Sequence, residues 1–117
     1  MRSIVAALIA LLVVVPCATA DEGDLRRLVE VARGATPFRD AWERCTASVV
    51  RQELRSRRTS RELAEHALSR CEGQEGKLRA ALVKARGAAE GRRVTALLRR
   101  IHRANLIAVI DLLRRES

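Results

Sequence analysis

Apolar residues recur at steps of three and four through most of the chain, the period of an amphipathic helix and not of a strand. One seam reads Phe38, Trp42, Cys45, Val49. A second reads Ala64, Leu68, Cys71, Glu75, Leu78, Leu82, Ala85, Ala89, with Glu75 its one polar member. The segment 55–62 between them has no apolar residue and closes with Thr59-x-x-Glu62. That is a capping box: the threonine hydroxyl takes the amide three residues on, and the glutamate reaches back to the cap's own amide. A helix is therefore expected to begin just after Thr59.

If the chain reverses there, the two helices run antiparallel, and residues whose numbers share one sum face each other. Cys45 and Cys71 sum to 116, which places the fold line at residue 58, beside the capping box. The same register sets Phe38 opposite Leu78 and Val49 opposite Ala67. Sulfur pairing and side-chain packing thus ask for one geometry, and a Cys45–Cys71 disulfide is expected. Two cysteines 26 positions apart, with no CxxC and no histidine at ligand spacing, give zinc too few ligands.

Four helices are expected. The first covers 24–33, with Leu25, Leu28, Val29 and Ala32 on one side and Gly34 as a left-handed cap. The second, 37–56, opens with Thr36 as N-cap and Pro37 at the first position, where a missing amide is no loss. The third, 60–86, keeps its phase across Gly73 and Gly76, so it reads as one helix, weakened locally. Residues 87–91 are a break, and the fourth helix covers 92–115. The fold class is all-α: a small bundle of one short and three longer helices, its central antiparallel hairpin stapled by one disulfide.

The last helix has two halves. Val94, Leu97, Leu98, Ile101, Ala104, Ala108 and Leu112 gather on one side, expected to be core, while Arg92, Arg93, Arg99, Arg100 and Arg103 gather on the other. Farther on, Leu106, Ile107 and Ile110 project on the arginine side, so residues 104–113 are apolar nearly all round. Such a helix needs a second cover, supplied by the helix at 24–33 or by a partner such as a second copy. Leu106, Ile107 and Ile110 are accordingly the candidate apolar interface.

The N-terminus sets the compartment. Arg2, an apolar run at 4–15, and Pro16-Cys17-Ala18-Thr19-Ala20 follow the three-part plan of a secretory signal cut near Ala20. Twelve apolar residues are too few for a membrane anchor. Cys17 raises lipoprotein attachment as the alternative, although Pro16 stands where a lipoprotein box has a small residue. The product expected is exported, periplasmic or secreted, and begins at Asp21. It is one domain of 97 residues, close to the lower size at which a core suffices alone. Export also favours the disulfide.

Charge narrows the partners and does not name one. Of 23 basic residues only Arg2 is lost with the signal, leaving 22 against 14 acidic and a net +8. Twenty-one of the basic residues are arginine, a skew that an arginine-rich coding bias produces as readily as a binding site. Nucleic acid is disfavoured, because one Trp, one Phe and no Tyr leave no stacking platform beyond the seam. An anionic envelope polymer, a lipid surface, or a protein partner or homodimer remains.

Catalysis finds little footing. His66 and His102 have no metal-spaced companion, and Glu62, Glu65, Glu72 and Glu75 lie at ion-pair spacing from Arg58, Arg61, Arg70 and Arg79. There is no phosphate loop, nucleophile elbow or metal motif. No catalytic residue, metal or cofactor is expected, and the chain reads as a non-enzyme; a small hydrolase would need a cleft joining His102 to a carboxylate. Two functions are expected. The first is an exported binding module, its final helix turning arginines to an anionic partner and Leu106, Ile107 and Ile110 to protein or lipid. The second is a structural or stress-related protein that self-associates or holds unfolded clients.

Overall fold

The computed structural model describes residues 22–116, with side chains from Arg33 onward. The expected signal segment 1–20, Cys17 and the cleavage point lie outside the described residues. The chain divides into two compact units, Met1–Glu30 and Val31–Ser117, and the bundle belongs to the second. Of the first unit, the described part is helical from Glu22.

Four helices and no strand are found among the described residues: α1 (Glu22–Glu53), α2 (Ser60–Arg70), α3 (Glu72–Arg86) and α4 (Ala88–Glu116). The all-α bundle with a stapled hairpin is present, with different boundaries. No break occurs at Gly34, and Pro37 lies inside α1. The capping signal at Thr36-Pro37 is local, and proline's fixed φ is itself helical; the helix continues through it at the cost of one hydrogen bond and of crowding between the ring and the carbonyl four residues back.

The turn falls where the cysteine sum placed it. α1 ends at Glu53, and Thr59 caps α2 by accepting from the Glu62 amide at 3.1 Å. Cys45 and Cys71 are joined, their Cα atoms 6.0 Å apart. Arg114 secures the turn from the far end of the chain, donating to the carbonyls of Leu54, Ser56 and Arg58. These are carbonyls of the turn itself, outside either helix, and one guanidinium satisfies three of them.

The helix expected over 60–86 is divided, and at Cys71 instead of at the glycines. Cys71 is at once the C-cap of α2 and the N-cap of α3, with φ −107° and ψ 22°, and its amide is shared between the carbonyls of Ala67 and Leu68. A single non-helical residue leaves the three-four phase nearly intact, so the pattern did not register it. The disulfide therefore clamps α1 onto the joint between two helices.

α3 and α4 form a second hairpin. Gly87, at φ +91°, is the only residue between them, so the break expected at 87–91 is one residue long. Glu75 meets Arg99 across this hairpin, and Gly91 lies against Val83; both pairs sum to 174, twice 87. Contacts of α4 with α2 continue the antiparallel course, Arg103 with Glu65 and Ser60 donating to Asp111. Against α1 the order is parallel, with His102 beside Thr46 and Arg114 beside Leu54. The unit is thus three rods, up, down and up, the middle one jointed at Cys71.

The core follows from this. Trp42, Thr46 and Val50 of α1 bury with Leu63, Ala64, Ala67 and Leu68 of α2, Leu78 and Leu82 of α3, and Leu106 and Ile110 of α4. Phe38, expected opposite Leu78, is 38% exposed. Glu75 is buried on its seam and held by Arg79 at 3.2 Å and by Arg99, which explains a charged residue in an apolar row.

Candidate interaction surface on the C-terminal helix

The face of α4 turned to the core is not the one richest in aliphatic residues. Gly91, Thr95, Leu106 and Ile110 are buried, with Leu98, His102 and Ile107 partly so. Leu97 and Ile101, expected in the core, are 46% and 49% exposed, and so is Leu112 at 49%; Ala104 and Ala108 between them are exposed too. The cause is the hairpin at Gly87. One connecting residue brings α3 and α4 close together, and only small residues fit the crossing: Gly91 and Thr95 take it, and the rest of the helix follows in phase. Thr95 satisfies its buried hydroxyl on the Gly91 carbonyl at 2.7 Å.

This corrects the expected interface. Leu106 and Ile110 are interior, and Ile107 packs against the core, so these three do not form a free surface. Their cover includes α1, whose Thr46 and Val50 share a cleft wall with Leu106. The expected cover by Leu25, Leu28 and Val29 lies outside the described side chains.

The five candidate arginines divide likewise. Arg99 is committed to Glu75, Arg103 to Glu65 and Arg93 to Glu90. Arg92 and Arg100 are exposed, with no ion-pair partner among the described residues. A single basic face is therefore not what α4 presents. It presents an outward apolar row, Leu97, Ile101, Ala104, Ala108 and Leu112, with Arg93, Arg100 and Arg115 at its margin.

Two clefts flank α4. The larger, about 370 Å³, lies between α1 and α4 and includes Glu43, Thr46, Val50, His102, Leu106 and Val109. It does bring His102 and a carboxylate together. Thr46 is fully buried; its hydroxyl donates to the Glu43 carbonyl at 3.0 Å and lies 2.8 Å from His102 Nε2. With that hydroxyl proton on the Glu43 carbonyl, the Thr46 oxygen is free to accept from a ring N–H, and the hydroxyl itself is buried. The His102 ring also packs on buried Trp42, centroids 4.5 Å apart. His66 is bound to Glu53 at 2.6 Å. Among the described residues no group of three His, Cys, Asp or Glu is placed to hold a metal.

His102 makes the bundle sensitive to acid. Burial lowers its pKa below the ordinary 6.5, against an upward pull from the Glu43 carboxylate. The unfolded chain then takes up the proton first. The stabilisation is complete above pH 6.5 and is lost as pH falls from there through the folded-state value. Urea unfolding of the native protein is expected to show a lower midpoint at pH 5.5 than at pH 7.5. The difference should shrink in His102→Asn; an equal difference in both would dismiss the histidine as its source.

The smaller cleft, about 190 Å³, lies between α2 and α4 and is lined by Arg61, Arg100, Arg103, Ala104 and Ile107. No described helix is long and apolar enough to cross a membrane. The chain matches no protein-family model, no curated protein and no solved structure.

Proposed function

We propose that this is a small exported interaction protein whose contact surface is the outer face of α4, engaging an anionic partner of the cell envelope that also offers apolar surface. The observation behind it is the half-exposure of Leu97, Ile101 and Leu112 on the side of α4 opposite its buried side, where a helix of a self-contained bundle is ordinarily polar. Arg100 and Arg115 at the margin, exposed and without an ion-pair partner among the described residues, favour negative charge beside the apolar contact. Export is compatible with the disulfide, which persists in oxidising compartments, and accords with the signal pattern of residues 1–20.

The test is sedimentation of residues 21–117 with vesicles, anionic or purely zwitterionic. Binding to the anionic vesicles is expected, weakened at least tenfold by Ile101→Asp. Because Ile101 already faces solvent, that variant is expected to fold as the native chain does. Equal partition of native and variant protein would remove the reading.

A second reading is self-association, and one observation favours it. Val94, Leu97, Ile101, Ala104 and Ala108 follow strict three-four steps, the spacing of a coiled-coil seam. In an antiparallel pair whose facing residues sum to 205, Leu97 meets Ala108 and Ile101 meets Ala104, large against small. The arginines at the margin count against it, since two copies bring like charges together. A concentration-dependent dimer by analytical ultracentrifugation, abolished by Ile101→Asp, would favour it over the lipid surface.

A further inference from the structure

We propose that Arg61, Arg100 and Arg103 form a binding site for an oxyanion of the phosphate-ester class. The three line the cleft between α2 and α4, with Ala104 and Ile107 as its apolar part. What sets this place apart is that three arginines converge on one cleft. Arg39, Arg58, Arg79, Arg86 and Arg93 each lie beside a carboxylate. Here three guanidinium groups share one, Glu65, which is paired with Arg103 through Nε. Arg61 and Arg100 are exposed and have no ion-pair partner among the described residues. Adjacent cations repel, and an anion between them relieves that repulsion.

A second observation concerns the position of Arg61. It is the second residue of α2, in the first turn, where the helix dipole disfavours a cation. An anion beside that guanidinium would offset the unfavourable interaction with the dipole. Guanidinium groups present forked donors that match the oxygens of a phosphate. The volume accommodates a phosphate and part of the group it esterifies, and Ala104 and Ile107 favour an apolar ester over a bare ion. Ala104 also belongs to the outward apolar row, so the cleft borders the face assigned to partner contact. The site rests on that reading only for its source of ligand; its charge and shape stand separately.

Two sources share this chemistry, a phospholipid headgroup and a soluble phosphate ester. The probes are phenyl phosphate in solution and phosphatidylglycerol vesicles against phosphatidylcholine vesicles, all at matched ionic strength. For phenyl phosphate, saturable shifts of the arginine Nε–H resonances are expected, with affinity falling at least tenfold in Arg61→Gln/Arg100→Gln. Arg92→Gln, an exposed arginine that does not line the cleft, should leave it unchanged. Equal weakening by Arg92→Gln, or no saturable binding of either probe, overturns the site. Saturable binding of phenyl phosphate assigns a soluble ester, and binding of phosphatidylglycerol alone assigns the headgroup. Ile101→Asp separates the two proposals. If it abolishes vesicle binding while Arg61→Gln/Arg100→Gln leaves both probes bound as before, the apolar face stands and this site falls. If phenyl phosphate binding survives Ile101→Asp and vesicle binding never depended on Ile101, the site stands and the apolar-face reading falls.

Discussion

Replacing Gly91 with alanine is expected to destabilise the bundle by about 2 kcal/mol, the range for forcing a methyl into a packed site, despite alanine's better helix propensity. A Cβ at Gly91 would lie 2.6 Å from both the Cα and the amide nitrogen of Val83 and 2.8 Å from its Cγ2. Two of the three obstructing atoms are backbone, so no rotamer change relieves the clash; α4 has to move away from α3. Movement there loosens the Glu75–Arg99 pair and the packing of Leu106 and Ile110 farther along the rod. Gly76 is the control. Nothing lies within 4 Å of a Cβ added to it, so Gly76→Ala should stabilise by roughly 0.5–1 kcal/mol through helix propensity alone. Urea denaturation of both variants checks the contrast. Equal effects of one sign would mean that the helices do not approach as closely as Gly91 and Val83 indicate.

Loss of the Cys45–Cys71 bond is expected to be larger still. A closed loop of 26 residues corresponds to roughly 3.5 kcal/mol in the chain-entropy model, against a total of about 5–15 kcal/mol for a domain of this kind. The joint adds to the expectation. Cys71 is fully buried and is the one non-helical residue between α2 and α3, so the sulfur bridge also fixes that joint against α1. Cys45→Ser/Cys71→Ser, or the native protein in reductant, should unfold at a much lower urea concentration. Similar midpoints with and without reductant would show that packing alone maintains the hairpin.

The hairpin was legible in the sequence because two unrelated signals converged on it. The cysteine sum points to residue 58, the capping box points to Thr59, and both concern chemistry readable without knowing neighbours. Pro37 was misread for the complementary reason. A proline after a threonine signals a helix start wherever one is needed, but whether one is needed depends on what lies upstream.

The side of α4 that faces inward was illegible for a physical reason. Helical periodicity ranks the sides of a helix by how apolar their residues are, and on that ground Leu97, Ile101 and Leu112 belong inside. A crossing set by one connecting glycine selects by size, and it selected Gly91 and Thr95. The spacing of Gly91 from Gly87 and the small residue four positions later are the signal that would have found it. The candidate arginines were placed on the correct helix, yet pairing with Glu65, Glu75 and Glu90 depends on rods whose relative rotation was unknown. Arg114 was missed altogether, since nothing local ties it to carbonyls 56 or more positions away, and Arg61 was read only as a helix-spaced partner of nearby glutamates.

Covalent closure in this molecule is unevenly distributed. The sulfur bridge ties the first rod to the second, whereas the third packs along both α2 and α3 and is joined to α3 through one glycine at position 87. The first rod meets the others more sparsely, so cutting the bridge is expected to favour its departure as a unit, with the remaining helices still packed together. In reductant, amide exchange should quicken along residues 33–53 before it does along 88–116.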